Sequence, residues 1–250
     1  MIYLGITKTK GIVINHANSK DADKILTVLT PDLGKISVLV KGVKNKNGNN
    51  MSITELFVFL DLVLYKNTGD VYLLNSAEII EPFYNIRVDI EKICFLTYIS
   101  KLISDISTEN QNSFELMQLL LNTIYLYSQN TKDNMFLVTV FQIRLLRILG
   151  FNPIIDKCFY CKTKDVSSFS IKENALICEN CAKNDTGSIY LSKSAINALK
   201  YILVSDSKKV FSFDISEKSF AELKLFIKIY LCEKLDKQYD IDKFIAKYII

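Results

Sequence analysis

The chain has 250 residues, 49% hydrophobic and 23% charged, with three prolines and eight glycines; this composition suits one large or two modest globular domains and excludes a collagenous, low-complexity or disordered chain. The formal charge of +4 is too small to name a partner, but the first 50 residues carry eight lysines against three aspartates, an excess of +5. The longest apolar stretches, Leu56–Leu60 and Leu62–Tyr65, are cut by Asp61 and Lys66, well short of the ~18–20 residues of a bilayer span, and Met1–Lys10 lacks the parts of a signal peptide, so a cytoplasmic protein is expected.

Up to Glu81 the pattern is that of strands. Ile25–Thr30 is turned back by Gly34 into Lys35–Val40, where Ile36, Val38 and Val40 alternate with Lys35, Ser37, Leu39 and Lys41. A period of two places the first set inward and two lysines outward. Leu56, Val58, Leu60, Leu62 and Leu64 form a second inward row, opposite Phe57, Phe59 and Tyr65. Between the two rows lies the polar run Asn45–Asn50, and Asn67–Asp70 reads as a hairpin turn into Val71–Ile80. About five short strands with glycine-bearing turns predict a small barrel, with the OB-fold as the natural candidate.

Beyond Pro82 the period lengthens. Ile90, Ile93, Cys94 and Tyr98, then Phe114, Met117, Leu121 and Tyr125, then Phe136, Val140, Ile143 and Leu146 predict three helices. Helical patterning returns in Ser192–Val204 and Phe220–Leu235, the latter with Ser219 and Glu222 as a predicted capping box. The predicted class is therefore α+β: a five-stranded OB-fold barrel over residues 1–81 and a helical domain over 82–250, with a cysteine-bearing insert at about 154–190.

Four of the six cysteines stand as Cys158-Phe159-Tyr160-Cys161 and Cys178-Glu179-Asn180-Cys181, sixteen residues apart. Two thiolates on one tight turn can reach a single ion, and two such turns complete a tetrahedron, so the spacing predicts one structural Zn2+. Four sulfurs leave no open position for catalysis. Cys94 and Cys232 fall in apolar helical patterns and read as small buried hydrophobes.

Little here suggests an enzyme. The single histidine, His16, ends the first predicted strand, and no phosphate-binding loop, dinucleotide fingerprint, nucleophile elbow or HExxH motif occurs. The acidic pairs Asp21/Asp23 and Asp240/Asp242 sit in polar surroundings and read as solvated surface. Binding is the alternative. Lys20, Lys24, Lys35, Lys41, Lys44 and Lys46 could follow a phosphate backbone, and Phe57, Phe59 and Tyr65 could stack on unpaired bases. These lysines could equally be solubilising, and Phe57 and Phe59 could pack against the helical part.

Ser19-Lys20-Asp21-Ala22-Asp23-Lys24-Ile25-Leu26-Thr27, Leu33-Gly34-Lys35-Ile36 and Val40-Lys41-Gly42-Val43-Lys44 resemble the N-terminal barrel of the RecO family of bacterial DNA repair proteins. The similarity continues through Leu64-Tyr65-Lys66, Ala77-Glu78-Ile79, Phe141-x-x-Arg144-Leu145-Leu146, Leu149-Gly150-Phe151-x-Pro153, the four cysteines and Leu191-Ser192. The resemblance implies an OB-fold, a helical bundle with a zinc-finger insert, and a non-catalytic recombination mediator. Such proteins bind single- and double-stranded DNA, anneal complementary strands and, with RecR, help load recombinase onto strands coated by the single-strand binding protein SSB. Lys35, Lys41 and Lys44 match the family's basic barrel positions, whereas Lys46 and its Asn-rich loop match no fixed motif. The cysteines match those members that keep zinc. The family also docks the SSB C-terminal tail on its helical part. A reading of a different class is a zinc-stabilised protein-interaction module for which DNA contact is incidental.

Overall fold

A computed structural model describes residues 5–19, 22–43, 51–66 and 69–248. Five strands, β1 (Ile6–Asn18), β2 (Lys24–Thr30), β3 (Gly34–Val40), β4 (Phe59–Lys66) and β5 (Val71–Glu81), close into a barrel in the order β1-β2-β3-β5-β4. All neighbours are antiparallel except β3 and β5, whose parallel pairing from Ser37 opposite Val71 to Leu39 opposite Leu73 completes the closure. That is the OB-fold arrangement, in which one long strand serves two partners. β1 pairs with β4 along its first half and with β2 along its second, and the register shift between Val13 and Asn15 bends it from one to the other. Gly11 sits in this strand because a Cβ there would come within 2.4 Å of the Val28 side chain.

The alternation predicted for β3 holds, with Ile36, Val38 and Val40 buried in the barrel beside Leu26, Val28, Leu60, Leu62, Leu64 and Tyr72. Each such side chain contributes ~1.5–3 kcal/mol by leaving water. The row predicted from Leu56 holds from Val58 through Leu60 and Leu62 to Leu64, all buried in the barrel, and fails only at its start. Phe57 takes a left-handed backbone, φ 66°, so its side chain and that of Val58 are both buried and the strand begins only at Phe59.

Beyond the barrel, α1 (Tyr84–Arg87), α2 (Ile90–Ile106) and α3 (Phe114–Gln129) follow. Asp89 starts α2 by accepting hydrogen bonds from the Glu91 and Lys92 amides. The segment between α2 and α3 is tied to the β2–β3 turn: Lys35 N–H donates to Thr108 O, Asn110 N–H to Leu33 O and Ser113 N–H to Pro31 O. Gly34, at φ 69°, allows this approach, since a Cβ there would lie 2.2 Å from Thr108 O.

The second stretch holds α4 (Asn134–Ile148), the short strands β6 (Ser168–Ser170) and β7 (Ala175–Ile177), α5 (Glu179–Ala182), β8 (Ile189–Tyr190), α6 (Lys193–Val204) and α7 (Glu217–Leu235). Helix α4 is buried on nearly every side, and its Arg144 donates through Nη1 to the Ile202 and Leu203 carbonyls at 3.1 Å, satisfying the C-terminal end of α6. The cap predicted at Ser219 lies elsewhere. Ser216 starts α7 by accepting from Ser219 N–H, while Glu222 turns aside to accept from Ser192 N–H at 2.7 Å.

Strand gives way to helix just after Glu81, whereas the compact units divide further on. One comprises Met1–Asn130 with Ile241–Ile250 and the other Thr131–Asp240. Helix α8 (Ile241–Ile245) therefore belongs with the barrel unit, where Phe244 meets Tyr98 of α2 edge-on at 5.5 Å. No helix among the described residues is long and apolar enough to cross a membrane.

Candidate nucleic-acid interface and metal centre

The metal centre is assembled by two turns. In the first, Cys158 N–H donates to Thr163 O at 2.8 Å and Lys162 N–H donates back to Cys158 O at 3.0 Å, with Lys162 left-handed at φ 64°. In the second, Cys178 starts α5, and Ala182 N–H donates to its carbonyl at 2.9 Å. Strands β6 and β7 hold the turns together: Phe159 N–H donates to Leu176 O, and the Cys158 and Cys178 side chains pack with Ile177.

All four Sγ atoms lie within 4.8 Å of one another, with Cys161 and Cys178 3.6 Å apart. A tetrahedral ion at about 2.3 Å from each sulfur would set them roughly 3.8 Å apart, so the group fits zinc and could hold a metal ion with no position left open. Burial pushes the Cys158 thiol up, but the backbone N–H groups of Cys161, Cys178 and Tyr160 outweigh it and bring it down to about 6. Cys181 is pushed up to about 12, first by its hydrogen bond with Cys178, then by burial and the other two sulfurs. Four sulfurs this close cannot all ionise on their own, and a divalent cation removes the conflict.

Away from the metal group, Cys94 is buried as predicted. Cys232 is only half-buried, and its sulfur accepts from Tyr239 N–H at 3.4 Å.

The predicted DNA face is divided differently from the sequence expectation. Lys20, Lys44 and Lys46 lie outside the described residues. Lys24 shares the inward row of β2 with Leu26 and Val28, and its Nζ donates to Thr54 Oγ1 at 3.2 Å across the barrel end. Lys35 is on the outward row of β3, but its Nζ donates to Ser104 O near the end of α2. Lys41 is exposed in the turn after β3, about 20 Å along the strand from Lys35.

Among the aromatics, Phe57 is a correction. At 1% exposure it offers no face to a base, because the left-handed turn sends it into the fold and its amide bonds Val13 O at 2.8 Å. Phe59 and Tyr65 stay on the outward row of β4, both half-buried. At the Phe59 end, Ile12 and Leu29 are fully buried although they point outward, because α2 lies against β1 and α3 against β2. At the Tyr65 end, Ile6 is opposite Tyr65 and the exposed Lys8 is two pairs further along, opposite Val63. Lys8 and Lys10, exposed on β1, were not among the predicted site residues; their alternation with Thr7 and Thr9 is the signal that finds them. His16 lies two residues before the end of β1, near Lys24. Burial first, and then the Lys24 charge, lower its pKa against opposing effects of Glu55 and the Thr54 backbone.

Two family models match in chain order: recombination protein O N terminal over residues 1–83 and recombination protein O C terminal over residues 87–240. The DNA repair protein RecO of Acetivibrio thermocellus is 36% identical over 234 residues, covering 93% of both chains. RecO of Caldicellulosiruptor bescii is 29% identical, covering 93% of this chain and 94% of its own. That of Halalkalibacterium halodurans is 27% identical over 90% of this chain and 89% of its own. With both halves of the chain matched and the relatives covered almost end to end, the chain belongs to the RecO family of DNA repair proteins.

Proposed function

We propose that this chain is a non-catalytic recombination mediator acting in the bacterial cytoplasm at the nucleoid. It binds single- and double-stranded DNA with little sequence preference and anneals complementary strands. With RecR, and through the SSB C-terminal tail, it helps load recombinase onto SSB-coated DNA. The observation that carries this reading is membership of the RecO family over both halves, joined to a closed barrel with Lys41, Lys8 and Lys10 exposed on it. Neutralised phosphates on two strands lower the repulsion between them, and no bond is made or broken. One Zn2+ held by Cys158, Cys161, Cys178 and Cys181 stabilises the insert.

Fluorescence anisotropy of a labelled oligonucleotide across a salt series tests the reading. Affinity is expected to fall steeply, with a log–log slope of about −0.7 per single-strand phosphate contacted. Lys41→Glu combined with Lys44→Glu weakens it without unfolding the protein. Salt-independent affinity, or none at low salt, would overturn the proposal.

The interaction-module reading draws on one observation: Lys24, Lys35 and Phe57 are all engaged within the fold rather than free for DNA. Tight RecR or SSB-tail binding with no measurable DNA affinity at low salt would favour it.

A further inference from the structure

Just past the barrel the chain makes a tightly tied turn that holds an aromatic ring out from the surface. Phe83 is buried yet left-handed, at φ 45° and ψ 47°, a conformation costly for a residue with a bulky side chain. It is cross-tied on both sides. Its N–H donates to Glu81 Oε1 at 3.2 Å, its carbonyl accepts from Ile86 N–H at 3.1 Å, and Arg87 Nη1 donates to Pro82 O at 2.8 Å. With the backbone so fixed, Tyr84 is 61% exposed, and the Arg87 guanidinium sits 4.8 Å from the centre of its ring. Tyr125 of α3, 56% exposed, lines the same cavity of about 220 Å³.

The lining of this cavity favours one kind of occupant. Rings come from Phe83, Tyr84 and Tyr125, amides from Asn85 and Gln129, and a hydroxyl from Ser128; no aliphatic side chain lines it among the described residues. Glu81, the one carboxylate, already accepts the Phe83 amide. The cavity is smaller than the roughly 300–1,000 Å³ of a cofactor pocket. A peptide anchored by apolar side chains would call for aliphatic walls. A flat heterocycle calls for rings to stack on and for amides to meet its edge, with a cation nearby for its phosphate. Arg87 is the one arginine of the barrel unit, and Arg144 and Arg147 both lie in α4 of the other.

We infer that Tyr84, Tyr125 and Arg87 form a stacking station for an unpaired base of single-stranded DNA, placed beside the barrel rather than on it. The inference rests on the mediator reading and gives it a subsite. Stacking tolerates every base, so the station holds a strand splayed without reading its sequence, which suits a protein that presents bases for pairing. In a duplex the bases are already stacked on one another, and the station has nothing to take.

The test is Tyr84→Ala combined with Tyr125→Ala, against Tyr84→Phe combined with Tyr125→Phe, all in the full chain and checked for folding by circular dichroism. Anisotropy is read with a labelled oligothymidine strand and with a labelled duplex. The alanine pair is expected to lose roughly 10- to 100-fold in single-strand affinity, with duplex affinity within about twofold of the parent, and the phenylalanine pair to bind as the parent does. Photocrosslinking of an oligonucleotide carrying 5-iododeoxyuridine is expected on the peptides bearing Tyr84 or Tyr125. Parent-like single-strand affinity in the alanine pair, with cross-links elsewhere, overturns the station and leaves the mediator reading standing. A parent protein that binds no DNA at low salt overturns both. If the alanine pair keeps DNA affinity but loses RecR or the SSB tail, the cavity serves a protein and the base assignment falls.

Discussion

The barrel and the cysteine insert are both small β-structures, yet they are held by different forces. The barrel interior is a continuous apolar filling of side chains such as Leu26, Val38, Leu60, Leu62 and Leu64, each at most 1% exposed. The core around the cysteine turns consists of Cys158, Ile177 and Cys178, with Phe159, Val166, Cys181 and Ala182 partly buried against them. A core of this size offsets little of the conformational entropy of ordering two turns, and a metal held by the four sulfurs would supply what area does not. Fold stability in the barrel is spread over many side chains, whereas the two cysteine turns depend on four sulfur atoms and β6 is anchored separately by Phe169, which packs edge-on against Phe226 and Tyr230 of α7.

That contrast can be broken most severely at the metal. Cys158→Ser combined with Cys178→Ser is expected to abolish stoichiometric zinc. Since structural zinc supplies about 10–16 kcal/mol in small fingers, the two cysteine turns should lose their fold. Hydrogen exchange would read this as lost protection at the Cys158, Lys162 and Ala182 amides of the two turns with the barrel strands unchanged; equal zinc content and equal protection in variant and parent would refute it. In the barrel no single group should matter as much. Leu62→Ala is expected to cost about 2–5 kcal/mol, measured by denaturant unfolding, with zinc content intact.

Two smaller effects sharpen the comparison. Ser216→Ala should cost about 1 kcal/mol by uncapping α7, detectable as faster amide exchange at Ser219, whose N–H loses its acceptor. The smallest concerns His16, the only histidine. Its pKa is lowered in the folded barrel, chiefly by burial, so its contribution to stability is present above the unfolded value of about 6.5 and is lost as pH falls through the folded value. Thermal melts from pH 7 to pH 5 should therefore show a steeper decline for the parent than for His16→Gln, and parallel declines would remove His16 as a cause.

The parts legible in the sequence were those set by local periodicity or spacing. Ile36, Val38 and Val40 announced a strand and its inner face, and the two CxxC pairs announced a metal group that the fold brings together. What escaped depended on distant partners or on a single torsion. Lys35 bonds a carbonyl 69 residues away, which no window around it contains. Phe57 left its row because of one positive φ just before β4 begins at Phe59. Glu222 had the right spacing for a capping box with Ser219, but the fold put the Ser192 amide within its reach instead.

The parallel pairing of β3 with β5 has a further consequence. It seals the barrel over only three residues of each strand, so among the described residues β5 beyond Leu73 has β4 as its one strand partner and keeps a free side up to Glu81. The insert's sheet does have two edges, but β8 is two residues long and β7 is bridged by Ile154, whose N–H donates to Asn174 O and whose carbonyl accepts from Leu176 N–H. Strand-to-strand joining of two copies would therefore use the free side of a barrel strand such as β5 rather than the edges of the insert.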